Sequence, residues 1–116
     1  MVTNIENVSY IAVRSFLSYL ILAILKTTGT KTAYVIIETL KAEFGIKMSA
    51  GTLYNALAKL ERAGYIERPK DSPNINITEK GVQFLSKVAG ESKITMQKIQ
   101  SFLERSAQMP APSSSL

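Results

Sequence analysis

The stretch at residues 49–66, S-A-G-T-L-Y-N-A-L-A-K-L-E-R-A-G-Y-I, constrains the fold more than any other part of the chain. It reads as one helix with its own start and stop. Ser49 is placed to act as N-cap, its hydroxyl accepting an orphan backbone N–H of the first turn. Gly64 stands where a left-handed C-terminal cap is wanted. Between them Leu53, Leu57 and Leu60 recur at helical spacing, with Ala56 on the same side. The opposite side carries Thr52, Asn55, Lys59 and Arg62, with Glu61 on the flank. One face therefore suits a core. The other holds small, amide and cationic groups, the kinds that reach phosphates and base edges.

The neighbours of this helix set its context. Residues 32–44 form a second amphipathic pattern, with Ala33, Ile36, Ile37, Leu40 and Phe44 on one side. Gly45 ends it, and a short turn at residues 45–48 leads into Ser49. Two helices joined by a tight turn containing Gly make a helix-turn-helix. Two extended runs follow, at residues 65–68 and at residues 74–77, where polar and apolar alternate. The Pro69-Lys70-Asp71-Ser72-Pro73 segment between them has turn chemistry. A helix-turn-helix followed by a hairpin is a winged helix, so the expected fold class is mainly α with a small β-hairpin.

Ser49, the Gly51-Thr52-Leu53-Tyr54 run, Leu57, Leu60-Glu61 and Gly64 resemble the recognition-helix motif of PadR-like winged-helix transcriptional regulators. The likeness extends from about residue 18 to residue 89. It includes Ile77-Thr78-Glu79-Lys80-Gly81, which is similar to the turn where the wing returns into the last helix. Departures are Asn55 where family members usually have Pro, Thr32-Ala33 where they often have His-Gly, and a second wing strand without their usual Tyr and Arg. The resemblance implies a dimeric DNA-binding regulator with a C-terminal dimerisation helix. Some members bind small planar molecules between protomers. This chain has no Trp for an indole slot, and the residues name no effector. Phe16, Tyr10, Tyr19 and Phe102 could line an apolar space, although their spacing suits a core.

At 116 residues the chain is one domain with added arms. A hydrophobic fraction of 46% with 20% charged residues leans toward an oligomer that buries apolar surface. The net charge of +5 suits nucleic acid or an anionic membrane surface. The longest apolar run, residues 19–25, is too short for a bilayer, which needs about 20 residues. The N-terminus lacks the basic region of a signal peptide. A cytoplasmic, nucleoid-associated protein with no membrane partner is expected.

Both ends carry apolar patterns beyond the winged helix. The first helix is expected from Asn7 or Ser9 to Lys26, nearly all apolar from Leu17 onward. Its first half, including Val8 and Ile11, either packs on a partner subunit or covers the chain's own last helix. Thr27 to Thr30 break it, with a short strand able to join the wing there. Either Thr30 or Thr32 caps the next helix. The last helix starts at Thr78, a good N-cap, with Val82, Leu85, Val88 and Ala89 as its stripe. Gly90-Glu91-Ser92 marks either a kink or a break. Beyond it Met96, Ile99, Phe102 and Leu103 form a second stripe, and pairing with a symmetry mate is the expected way to bury it, with docking onto the first helix of the same chain as the alternative. The expected division is an N-terminal extension at 1–16, a winged helix at 17–89, a dimerisation helix at 90–108 and a disordered tail at 109–116.

Catalysis has little to work with. There is no His and no Cys, which removes the commonest general base, the Cys–His pair and most zinc sites. The acidic residues are scattered, and the glycines form no phosphate loop. No enzyme activity, cofactor or metal is expected. The binding candidates are Ser49, Ala50, Gly51, Thr52 and Asn55 at the start of the recognition helix, where such helices meet base edges. Asn55 is the candidate for base readout and Lys59 for phosphate. Arg62 lies further along the helix. Tyr54, on its flank, either contacts DNA or packs on a neighbouring helix. Arg68, Lys70, Asn74 and Asn76 lie on the wing, while Lys31 and Lys47 flank the second helix. Val8, Ile11, Val88, Met96, Ile99, Phe102 and Leu103 are the candidate dimer interface. The expected function is sequence-specific binding of double-stranded DNA by a homodimer. Its alternatives are a winged helix used for protein interaction and a non-specific nucleoid protein.

Overall fold

Helical spacing of Leu and Ile decides how the first three helices pack. A computed structural model describes residues 13–112. Residues 13–15 are helical, Phe16 forms a turn, and α1 follows at Leu17–Thr28. A short strand β1 (Lys31–Thr32) leads into α2 (Ala33–Phe44) and then α3 (Ala50–Arg62). Strands β2 (Ile66–Glu67) and β3 (Asn74–Ile77) precede the long α4 (Glu79–Gln108). The buried set takes Ile21, Leu22 and Leu25 from α1, Ile36 and Leu40 from α2, and Leu53 and Leu57 from α3. Each such side chain contributes about 1.5–3 kcal/mol on leaving water. Ile46 and Met48 in the α2–α3 turn are buried too, so the turn is anchored by apolar side chains at both of its inward positions.

The wing is a three-stranded antiparallel sheet in the order β1-β3-β2. Lys31 pairs with Ile75 and Thr32 with Asn74, while Ile66 pairs with Ile77 and Glu67 with Asn76. Alternation along β3 buries Ile75 and leaves Asn74 exposed, as a half-buried strand requires. Thr32 also caps α2, its hydroxyl accepting the Val35 N–H at 3.3 Å. Of the two candidate caps, Thr32 is used. Thr30 instead bonds to the Asn76 side chain and ties the α1–α2 connection to the wing.

Two compact units divide the chain, Met1–Leu85 and Ser86–Leu116. The first holds the winged helix. Within it Tyr65 stacks on Phe84 at 4.3 Å between ring centroids, and Tyr19 lies 6.0 Å from Phe84. The second unit carries Met96, Ile99, Phe102 and Leu103 on a helical stretch where these side chains are 48–62% exposed. Val88 is half-buried. Val8, Ile11 and the start of the first helix lie outside the described residues.

Four expectations need correction. The first helix is interrupted at Phe16 and extends past Lys26 to Thr28. The hydroxyls of Thr27 and Thr28 bond back to the carbonyls of Ala23 and Ile24 at 2.8 and 2.5 Å, which keeps these β-branched residues in the helix. The strand expected around residues 27–30 falls instead at Lys31–Thr32. Of the two alternatives at Gly90-Glu91-Ser92, the break does not occur, since α4 runs through it. A single Gly costs about 1 kcal/mol in a helix interior, too little to break one of 30 residues. Phe44, placed on the apolar side of α2 by its spacing, is 46% exposed because it sits in the last turn, next to the left-handed Gly45.

Candidate nucleic-acid interface

The recognition helix α3 is held at both ends by groups its own sequence supplies. At its start the Ser49 hydroxyl accepts the Thr52 N–H at 3.2 Å and donates to the Thr52 hydroxyl at 2.9 Å. At its end Gly64 adopts φ +84°. The Tyr65 N–H reaches the Leu60 carbonyl and the Gly64 N–H the Glu61 carbonyl, both at 3.0 Å, a Schellman motif. Residues from the start of α4 complete this end. The Thr78 hydroxyl donates to the Gly64 carbonyl at 2.6 Å, and Lys80 Nζ donates to the Ala63 carbonyl at 2.9 Å. A cation there also complements the negative end of the helix dipole.

With Leu53, Ala56, Leu57 and Leu60 buried, the remaining side chains of α3 face outward. Ala50, Gly51, Asn55, Lys59 and Arg62 are exposed and Thr52 is half-buried. A Cβ on Gly51 would meet no atom within 4 Å, so nothing inside the chain requires glycine there. A bare helix start allows another molecule to come close to its backbone N–H groups. Among the described residues, the side chains of Asn55 and Lys59 have no hydrogen-bond or ion-pair partner.

Among the described residues, grooves lie on opposite sides of the helix. The wing-side groove, about 500 Å³, is bounded by Tyr34, Tyr54, Glu61, Arg68, Pro73 and Asn74 among others. Tyr54 projects into it half-exposed and is not packed away in the core. Arg68 reaches back to the recognition helix: its Nη2 donates to Glu61 Oε1 at 2.8 Å and its Nε to the same oxygen at 3.1 Å. Lys70 and Asn74 are exposed on the wing. Lys31 is half-buried in β1, and Lys47 is exposed in the turn. The opposite groove, about 310 Å³, runs between residues 14–18 and α3. Arg14, Ser15 and Ser18 join Thr52, Asn55 and Lys59 in lining it, over a floor that includes Leu17 and Ala56. The sequence reading missed Arg14. It belongs to a segment assigned to an N-terminal extension, and only the tertiary fold brings that segment beside α3. No local signal marked it.

Among the described residues no helix is long and apolar enough to cross a membrane, and no group of His, Cys, Asp or Glu could hold a metal ion. The model of the transcriptional regulator PadR-like family matches residues 21–87. Among curated proteins, none is significantly similar in sequence. Solved structures share the architecture. A PadR-like transcription factor from Bacteroides fragilis is 25% identical, with a TM-score of 0.62 over 84% of this chain and 99% of that one. A transcriptional regulator from Clostridium thermocellum is 24% identical, with a TM-score of 0.67 over 78% and 96%. A PadR family transcriptional regulator from Eggerthella lenta is 23% identical, with a TM-score of 0.68 over 87% and 94%.

Proposed function

The chain belongs to the transcriptional regulator PadR-like family, and from that premise we propose that it reads a specific sequence in double-stranded DNA as a homodimer. It is a DNA-binding transcriptional regulator and not an enzyme, as membership implies. The observation that carries the finer reading is the outward face of α3. Thr52, Asn55 and Lys59 stand there among the described residues with no carboxylate paired to them, behind an open Gly51. The first turn of α3 enters the major groove. Asn55 pairs with an adenine edge, for which an amide has matched donor and acceptor, and Lys59 takes a backbone phosphate. Ser49 keeps the helix start rigid while Ala50 and Gly51 leave room for the strand. Tyr54, Arg62, Lys31, Lys47, Lys70 and Asn74 add backbone contacts along both margins. Arg68 positions the wing through Glu61. Work on genomic DNA puts the protein in the cytoplasm, at the nucleoid.

The homodimer rests on the apolar stripe of α4. Met96, Ile99, Phe102 and Leu103 leave a continuous exposed apolar face, larger than isolated surface hydrophobics provide. With Val88 it buries against its equivalent in a second copy. Two recognition helices then meet major grooves about 34 Å apart. Sedimentation of the wild type is expected at twice the chain mass, and of Leu103→Glu at the chain mass. A monomeric wild type at micromolar concentration overturns the dimer.

DNA reading is tested by fluorescence anisotropy on a duplex selected from a randomised pool, over a range of salt. Lys59→Ala weakens binding to all sequences and flattens the salt slope by about one unit per protomer. Asn55→Ala relaxes the preference at one base position, by about 1–3 kcal/mol. A wild type that binds every duplex alike against competitor DNA overturns sequence specificity and leaves a nucleoid role. A wild type that binds no duplex at low salt leaves a protein-interaction module.

A further inference from the structure

The two grooves beside α3 differ in chemistry. On the wing side, the cation Arg68 is already neutralised by Glu61 at 2.8 Å. On the other side, the groove of about 310 Å³ holds two cations, Arg14 and Lys59, with hydroxyls from Ser15, Ser18 and Thr52 and the amide of Asn55. Among the described residues no carboxylate lines it. Among the described residues neither cation has an acidic partner. Its volume reaches the lower end of small-ligand sites. Two cations converging without a counter-charge repel one another, and an anion between them relieves that cost. Hydrogen-bond donors arriving from two separate chain segments suit a tetrahedral oxyanion with several acceptor oxygens, and a guanidinium fork matches phosphate geometry.

We propose that this groove is a phosphate site in which Arg14 and Lys59 grip one and the same phosphodiester of bound DNA. The inference rests on the DNA-reading function argued above and extends its contact surface to a segment outside the helix-turn-helix. Lys59 contributes a point charge from the recognition helix. Arg14 closes on the phosphate from the opposite wall, and Ser15, Ser18 and Thr52 donate to its oxygens. The strand is thereby clamped on the side of α3 opposite the wing.

The test is a salt series of duplex binding by the full chain, comparing wild type, Arg14→Ala, Arg14→Lys, Lys59→Ala and the double alanine variant. Arg14 is exposed, so its substitution leaves the fold intact, which a thermal melt checks. Arg14→Ala is expected to lower the slope of log K against log salt by about 0.9 per protomer, equally on preferred and scrambled duplexes. Arg14→Lys keeps the wild-type slope because the charge remains. Neither cation holds the phosphate without the other, so the contact is lost once and the double variant loses about the same 0.9. A double variant that loses about twice that value overturns the shared site, as does Arg14→Ala with wild-type slope and affinity. Either result leaves DNA binding through Lys59 intact. If the wild type binds no duplex, the DNA reading itself fails, and amide chemical shifts of the full chain titrated with inorganic phosphate decide the groove. Saturable shifts at Ser15, Thr52 and Lys59 that vanish in Arg14→Ala support a site for a free phosphate group. Their absence overturns it.

Discussion

The hydroxyl of Thr78 donates to the carbonyl oxygen of Gly64 at 2.6 Å while accepting the Gly81 N–H at 3.1 Å. One side chain thus closes the recognition helix and opens α4. The Thr78 N–H also reaches the Tyr65 carbonyl at 3.0 Å. The end of α3, the return of the wing and the start of α4 therefore meet at one residue, which sets the direction in which α3 leaves the core.

Thr78→Val keeps the shape and removes both hydroxyl bonds. Loss of an N-cap and of one further hydrogen bond is expected to cost about 1–2 kcal/mol. Urea denaturation followed by circular dichroism measures it. A loss within error of zero would mean that the cap bond is made equally well by water.

Gly81 and Gly90 both lie in α4 and respond oppositely to alanine. A Cβ on Gly81 would run into the Tyr65 carbonyl oxygen and stand 2.8 Å from Ile77 Cγ1, a backbone group and a half-buried side chain packed against the core. Gly81→Ala is expected to destabilise by about 1–3 kcal/mol. At Gly90 nothing lies within 4 Å, so Gly90→Ala gains up to about 1 kcal/mol of helix propensity. Thermal melts of the two variants should move in opposite directions.

Gly51→Ala separates stability from binding. The open space around Gly51 predicts a small stability gain, of at most about 1 kcal/mol. On DNA the added methyl stands between the helix start and the approaching strand, and affinity should fall. A raised melting temperature together with weaker anisotropy on the same duplex is the expected pair of results. Unchanged binding would remove the close approach at this helix start.

Glu61→Gln tests what the ion pair with Arg68 does. Both partners are partly exposed, 31% and 41%, and such pairs contribute about 0–1 kcal/mol. Stability should hardly change. Removing the negative charge from the recognition helix frees Arg68 for phosphate, so binding should tighten at low salt and its salt dependence steepen. A weaker complex would show instead that holding the wing in place outweighs the freed charge.

Much of this protein is legible in residues 49–66. Ser49 and Gly64 stand at the two ends of a leucine repeat, and local backbone chemistry makes them caps wherever the helix sits. Leu53, Leu57 and Leu60 share a face because of helical periodicity alone. The wing strand at Asn74–Ile77 follows from simple alternation. Local interactions are encoded locally, so these features could be read without a fold. Tertiary structure decided the rest. Arg68 looks like a free wing cation until the hairpin folds back and sets it against Glu61, seven residues away along the chain. Gly81 gains its role only because the Tyr65 carbonyl packs onto it. Arg14 enters the polar groove only when residues 13–18 pack beside α3. Charge pairing and close packing depend on distances through space, and sequence spacing does not carry those distances between elements.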